Sequence, residues 1–353
     1  MPCYHPLYAI PDVNPRTGEP YKTKNGKTRY KILGNYDPQK DSIVHGDLIQ
    51  LPCGRCLGCR LEYSRQWANR LMLELEYHDS AYFITLTYND EHVPRGYYPD
   101  PETGEALESM TLSKRDVQLF MKRLRKAFPD DQIRFYCAGE YGPSTMRPHY
   151  HLIIFGLHLD DLELKVTDTR GFKYYRSPKL ERCWSVKEDK GSIISPYIEE
   201  DGNSPYTPLG FVTIADVTWE TCAYTARYVT KKLCGDDAQF YTDFSLTPPF
   251  SLMSRRPGIA RQWYEDHPGW SDYEYINIKT GDGGRKVNPP KYFERLLGED
   301  DPDLAAQRSE IRAARAKASL EGKLSKTDLS YGQYLEVCED IKSKRTKSLK
   351  RGL

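Results

Sequence analysis

The stretch "RPHYHLIIFG", residues 147–156, sets His149 and His151 one residue apart with Tyr150 between them. In a β-strand successive side chains point to opposite faces, so residues two apart share a face and can converge on one ion. Leu152, Ile153, Ile154 and Phe155 carry apolar character onto both faces, which predicts an interior strand rather than an edge. From that support each imidazole can give one nitrogen to a divalent metal. The alternative is that both histidines are hydrogen-bonded sheet residues.

A second set lies in "TWETCAYTARYVTKKLCG", read as a helix over residues 218–233 and closed by Gly235. Tyr224 and Tyr228 stack on one face, and Lys231 and Lys232 extend it. Cys222, Ala226, Val229 and Leu233 form the opposite, buried stripe, which leaves the Tyr-Lys face free to line a cleft. Tyrosines at helical spacing are otherwise ordinary core. A tyrosine hydroxyl, with a pKa of about 10, is a poor nucleophile unless a metal or ammonium group favours the phenolate. Its ester with a phosphate divides strand transfer into two steps. A metal on His149 and His151 can polarise such a phosphate, and Lys231 or Lys232 can steady the developing charge. With two tyrosines, one holds a first cut end while the other attacks a second site.

A third set is "LPCGRCLGCR", in which Cys53, Cys56 and Cys59 are spaced to wrap one tetrahedral ion. Cys3 is the natural fourth ligand, with His5 as substitute. The reading is a structural zinc site, closed and therefore a folding device; free thiols are the alternative.

The elements that position these residues follow from periodicity and composition. The chain has 353 residues, enough for one large domain with appendages or two moderate ones. Its 27 Tyr, 11 Phe, 24 Pro and 25 Gly point to a turn-rich mixed fold. A formal charge of +1 excludes a polycation, so any nucleic-acid contact rests on local patches. No apolar run is long enough to span a bilayer, and the N-terminal "MPCYHPLYAIPDVNP" lacks the apolar core of a signal peptide. The expectation is a soluble intracellular chain whose cysteines are thiols or metal ligands.

Residues 1–60 read as an irregular Cys-rich arm and 61–300 as the main domain, with an insertion of loops and short elements at 157–209. Residues 301–353 read as a charged helical segment ending in a basic tail, "IKSKRTKSLKRGL", expected to be disordered. A helix from about Leu61 to Tyr77 presents Trp67, Leu71 and Leu75 on one face. "AYFITLTYND", "IRFYCAGEYG" and "GFVTIADV" read as strands. "TLSKRDVQLFMKRLRKAF" reads as a helix capped by Ser113, with Val117, Phe120, Leu124 and Phe128 buried. Its Lys114, Arg115, Lys122, Arg123, Arg125 and Lys126 form a face that is either solvated or turned to phosphates.

Three segments together resemble a known family. "FITLTY" (83–88), "RPHYHLIIFG" and "YTARYVTKK" (224–232) stand in the order of the three motifs of HUH-type replication initiators. With "PCGRCLGCR" and the "GEYG" before the histidine strand, the chain resembles the initiators of microviruses, the gokushovirus branch in particular, over roughly residues 50–235. The resemblance implies an α+β nuclease domain at 61–300, a central antiparallel sheet flanked by helices. It implies a metal-dependent endonuclease that nicks single-stranded DNA at the viral origin, forms a 5'-phosphotyrosine link, rejoins ends and starts rolling-circle replication. His149 and His151 carry over as metal ligands, Tyr224 and Tyr228 as nucleophiles, and Lys231, with Lys232 beside it, as the cation. Superfamily relatives take a third ligand from another residue, and Glu140 is the candidate because carboxylate plus imidazole suits Mg²⁺ or Mn²⁺. A turn-capping role at "GEYG" is its alternative. The implied partners are the host replication helicase and polymerase, and the implied setting is the cytoplasm of a bacterial host. Tyr88, Tyr136 and Tyr141 can stack on unpaired bases or fill the core, and Tyr150 points away from the histidines into packing.

Competing readings are a plasmid initiator or transposase of the same superfamily, a non-catalytic zinc-containing DNA-binding protein, and a two-histidine phosphodiesterase that uses water.

Overall fold

The computed structural model describes residues 3–23, 28–34, 48–169, 171–187, 206–228, 235–280 and 283–349. It begins with β1 (Leu7–Pro11), β2 (Tyr30–Leu33), β3 (Ile49–Leu51) and α1 (Leu57–Leu75). Then come β4 (Ala81–Thr87), β5 (Arg95–Pro99), β6 (Ala106–Met110), α2 (Lys114–Ala127), β7 (Arg134–Tyr141) and β8 (Pro148–Phe155). β9 (Glu163–Thr167), β10 (Lys173–Arg176), α3 (Pro178–Cys183), β11 (Ser185–Lys187), β12 (Tyr206–Pro208), β13 (Val212–Asp216) and α4 (Trp219–Tyr228) follow. The last third holds α5 (Gln239–Asp243), β14 (Phe250–Met253), α6 (Arg261–Asp266), β15 (Ile276–Thr280), β16 (Gly283–Val287), α7 (Lys291–Asp300), α8 (Pro302–Leu324) and α9 (Tyr331–Leu349). They group into two compact units, Met1–Glu62 with Asp303–Leu353, and Tyr63–Pro302.

In the first unit β1 pairs antiparallel with β2, Tyr8 opposite Leu33, and with β3, Leu7 opposite Leu51. The arm read as irregular therefore carries a three-stranded sheet. Strands of three to five residues are too short for a period-two pattern to stand out. The tail expected to be disordered is helical through Leu349. Earlier in the same helix, within the stretch read as helical, Leu335 is buried with Tyr4 and Cys56, and Tyr331 and Tyr334 pack against them, so apolar contacts rather than net charge decide this helix.

The second unit is built on a seven-stranded sheet in the order β14-β7-β8-β4-β13-β10-β9, every pair antiparallel. The histidine strand β8 lies in the interior of this sheet, as its two-sided apolar pattern predicts. Two strands from the stretch expected to be loops and short elements, β9 and β10, extend its far edge.

The two faces of the sheet are covered by different helices. Tyr150, Leu152 and Ile154 of β8 share a core with Leu86 and Ile84 of β4 and with Val117, Phe120 and Leu124 of α2. Trp184, just after α3, fills this layer, its ring 5.2 Å from Tyr88, 5.8 Å from Tyr150 and 6.1 Å from Phe120. Each such buried side chain contributes about 1.5–3 kcal/mol. Ser113 caps α2, its hydroxyl accepting from the Asp116 N–H at 3.2 Å. The Ser113 N–H in turn donates to the Tyr150 hydroxyl at 2.8 Å, and Tyr88 donates to Asp116 at 2.7 Å. Burial pushes both tyrosine hydroxyls far up in pKa, so they are neutral packing groups. Tyr136 and Tyr141 are buried as well, which leaves neither, nor Tyr88, a face for stacking bases.

On the opposite face α1 and α4 pack. Trp67 of α1 packs tilted against Tyr136 of β7, ring centroids 4.7 Å apart, and Leu71 and Leu73 are buried. α1 starts at Leu57, four residues earlier than periodicity suggests, because the helix already begins within the cysteine run.

Candidate metal and tyrosine site

Register brings the site together. Glu140 of β7 lies directly opposite His149 of β8, and Ala138 lies opposite His151. Directly opposed residues point to one side of a sheet and diagonal neighbours are within reach of long side chains, so the Glu140 carboxylate meets both imidazoles. Its Oε1 is 2.8 Å from His149 Nε2 and 3.3 Å from His151 Nε2. Ala138 adds nothing beyond its Cβ to the space beside His151. Glu140 and His151 are buried, 2 % and 5 % exposed, while His149 is partly open, so the group is reached from the His149 side.

The far nitrogens are held too. His149 Nδ1 lies 3.1 Å from the Arg147 carbonyl oxygen. A carbonyl only accepts, so Nδ1 carries the proton and, in the neutral ring, Nε2 turns its lone pair to Glu140. Arg147 is itself fixed, donating to the Tyr88 carbonyl at 2.9 Å and to Asp90. His151 Nδ1 pairs with the Thr85 hydroxyl at 3.1 Å. Thr85 stands directly opposite His151 on β4, and Phe83, two residues earlier on the same face, stacks parallel to the His151 ring at 5.6 Å.

A carboxylate oxygen and an imidazole lone pair facing at 2.8 Å repel unless a proton or cation lies between them. An octahedral ion with bonds of about 2.1 Å has neighbouring donors about 3 Å apart, and the separations of 2.8 and 3.3 Å bracket that edge. The donor atoms of Glu140, His149 and His151 all lie within 4.8 Å of one another. One carboxylate and two imidazoles fit a hard-to-borderline divalent ion such as Mg²⁺ or Mn²⁺.

Tyr224 joins this group from α4. Its ring stands edge-on to His151 at 5.4 Å and to Phe83 at 6.2 Å. The helix is started by a reciprocal pair: the Thr221 N–H donates to the Thr218 hydroxyl at 3.2 Å and the Thr218 N–H to the Thr221 hydroxyl at 2.8 Å. Cys222 and Ala226 are fully buried, as the stripe reading expects. Tyr228 follows one turn after Tyr224 in the backbone of α4; its side chain, and Val229, Lys231, Lys232 and Leu233, lie outside the described residues.

The cysteines converge in the first unit. Cys3, Cys53, Cys56 and Cys59 place their sulfurs within 4.8 Å of one another. His5, the substitute ligand in the sequence reading, instead pairs with Glu339 at 2.6 Å.

The basic face of α2 is not part of the tyrosine site, since α2 covers the opposite side of the sheet. Arg123 is buried and donates to the Cys183 carbonyl at 3.2 Å, which removes it from the six candidates for phosphate contact. Thr85, Phe83 and Arg147 are the residues that sequence reading passed over. Thr85 and Phe83 lie inside the quoted "FITLTY", but only strand register shows what they touch.

Among known proteins, a family described as "Replication-associated protein ORF2/G2P" matches residues 81–233, from β4 to just beyond α4. The "Replication-associated protein ORF2" of Spiroplasma virus 4 is 30 % identical over 100 % of this chain and 99 % of its own length. This chain belongs to the phage replication-associated protein family. The "Replication-associated protein VP4" of Bdellovibrio phage phiMH2K is 27 % identical over 71 % of the chain and 69 % of its own length. The "Replication-associated protein ORF4" of Chlamydia phage 1 is 27 % identical over 52 % and 38 %. No solved structure matches. The microvirus resemblance read from the motifs is thus met. In this replication-associated protein the similarity to Spiroplasma virus 4 also takes in the last third, which the motifs left without support. Every residue of the Glu140–His149–His151–Tyr224 group falls inside the family-matched span. Among the described residues no helix is long and apolar enough to cross a membrane.

Proposed function

We propose that this replication-associated protein initiates rolling-circle replication by nicking single-stranded DNA at the viral origin, as an HUH-type endonuclease. The observation that carries the reading is Tyr224 set edge-on to His151, 5.4 Å away, beside a buried carboxylate that both histidines address. A tyrosine next to a cation site is the arrangement that phenolate attack needs.

Tyr224 is the nucleophile in the first step. Its oxygen bonds to the scissile phosphorus, the bond from phosphorus to the 3' oxygen breaks, the tyrosine proton is lost and the departing 3' oxygen gains one. The product is a 5'-phosphotyrosine link. Glu140, His149 and His151 would hold Mg²⁺ or Mn²⁺, which supplies Lewis-acid polarisation of the phosphate. Thr85 and the Arg147 carbonyl keep the two imidazoles aimed. Tyr228, one turn along α4, is the second nucleophile, and Lys231 with Lys232 are the cations that steady the phenolate or the pentacovalent charge. Alternation of the two tyrosines rejoins ends without releasing them. The setting is the cytoplasm of a bacterial host, with the host helicase and polymerase extending the free 3' end.

The test is a denaturing gel with a labelled single-stranded origin oligonucleotide and Mn²⁺ or EDTA. A labelled band at protein mass that requires metal, His149 and His151, is weakened in Tyr224→Phe, and disappears entirely when Tyr224→Phe and Tyr228→Phe are combined, is the expected result. Metal-dependent cleavage without an adduct would replace this reading with a water-using phosphodiesterase. Binding without cleavage would replace it with a non-catalytic DNA-binding protein.

A further inference from the structure

The four clustered thiols of the first unit are not used by the nicking reaction. Cys3 stands before β1; Cys53, Cys56 and Cys59 occupy the turn from β3 into the first turn of α1. Gly54, at φ +76°, takes the left-handed conformation that folds this turn back on itself. The Cys3 and Cys56 sulfurs are 3.9 Å apart. A tetrahedral ion with metal–sulfur bonds of about 2.3 Å has an edge of about 3.8 Å. A disulfide needs about 2.05 Å and joins only two sulfurs, and all four cysteines are free thiols.

Four cysteines can also pack as small hydrophobes. Here, however, backbone donors are turned onto the sulfurs. The Cys53 N–H donates to Cys3 Sγ at 3.2 Å, the Cys56 N–H to Cys53 Sγ at 3.3 Å, and the Tyr4 N–H to Cys56 Sγ at 3.4 Å. Donors aimed at sulfur favour the thiolate, the form that ligates metal.

The cluster is also a floor. Tyr4, Cys56 and Leu335 are buried together, with Leu57, Tyr331, Tyr334 and Cys338 packed against them. Around this centre His5 pairs with Glu339 at 2.6 Å, an exposed contact that holds little by itself. So few apolar groups do not hold a helix of 19 residues unless the surface beneath it is fixed.

We propose that Cys3, Cys53, Cys56 and Cys59 bind one zinc ion as a closed tetrathiolate, and that this ion fixes the N-terminal arm as the platform on which α9 folds. The ion does no chemistry on DNA, since four protein ligands leave no open position. It joins residue 3 to residues 53–59, a link that nothing covalent makes.

The test uses the full-length purified chain. Elemental analysis is expected to find one zinc per chain, kept in the His149→Ala/His151→Ala variant and in Cys338→Ser, and lost in Cys56→Ser and Cys59→Ser. Exchange of zinc for Co²⁺ is expected to give the intense visible bands and sulfur charge-transfer absorption of a tetrahedral cobalt thiolate, which an oxygen-and-nitrogen site does not show. Hydrogen exchange is expected to report loss of protection across residues 331–349 once a chelator removes the zinc. Zinc that disappears with the histidines, or a cobalt form without the thiolate bands, would overturn the metal assignment even if the serine variants failed to fold. Protection of residues 331–349 that survives metal removal would overturn the platform role. These readouts are independent of nicking.

Discussion

Thr85 does for His151 what the Arg147 carbonyl does for His149: each occupies the ring nitrogen turned away from Glu140. Partners of this kind set ligand orientation, and their loss typically costs about 10–100-fold in metal affinity. Thr85→Val keeps the shape and the β-branch while deleting the hydroxyl. Mn²⁺ titration of that variant is expected to show affinity weakened by about 10–100-fold with an unchanged melting temperature. Unchanged affinity would mean that stacking on Phe83 alone orients His151. The three candidate ligands were legible because two alternate along one strand and the third precedes them across a single turn. Thr85 was not, because its neighbour lies 66 residues away and only strand register brings them together.

Elements with strong periodicity were legible and short ones were not. The cap of α2 stands as read, Ser113 accepting from Asp116, and so does the stripe at Val117, Phe120 and Leu124, whereas Phe128 lies past the helix end as its C-cap and is only partly buried. The strands of the arm escaped because they are a few residues long, and the continuation of α9 into the tail escaped because that helix is held by a handful of contacts to distant residues. A further device visible only in three dimensions is Glu74, buried at the end of α1. It accepts from His78 at 3.3 Å, from Arg134 at the start of β7 and from the Ala260 N–H ahead of α6. Burial works to raise this carboxyl, but the bonds from His78, Arg134 and Ala260 prevail and hold it below its ordinary value. A carboxylate whose folded pKa lies below the unfolded value of about 4.3 stabilises fully above that pH and loses its contribution as pH falls through the folded pKa. Glu74→Gln is therefore expected to be less stable than the natural chain by about 1–3 kcal/mol at pH 7. Thermal melts should show the difference narrowing once the pH drops below about 4. A gap that is constant with pH would assign the loss to shape rather than charge.

At the scale of the whole molecule, charge is the property that sequence left most ambiguous. A net charge of +1 does not mark a nucleic-acid-binding protein, and the dense basic run of α2 was the natural place to look for phosphate contacts. The sheet settles on which side that run lies. α2 packs with Tyr150 and Leu152, whereas His149, His151 and Tyr224 belong to the other face. Sequence could list the charges but not say which side of a sheet they join, because that follows from how β8 alternates between two helical layers. Exposed charges more than about 10 Å from a strand are largely screened at about 0.1 M salt. A strand at Tyr224 therefore gains little from Arg115 and Lys122, both exposed on α2. Each phosphate contact to single-stranded DNA contributes about 0.7 to the slope of log K against log salt. If α2 held the strand, Arg115→Glu with Lys122→Glu would lower that slope by about 1.4 and weaken binding at every salt concentration. The expected result, if the strand runs on the face that carries Tyr224 as proposed, is that the slope and the affinity for an origin oligonucleotide both stay as they are. A fall of about 1.4 would place the DNA on the α2 face and separate binding from the histidine site.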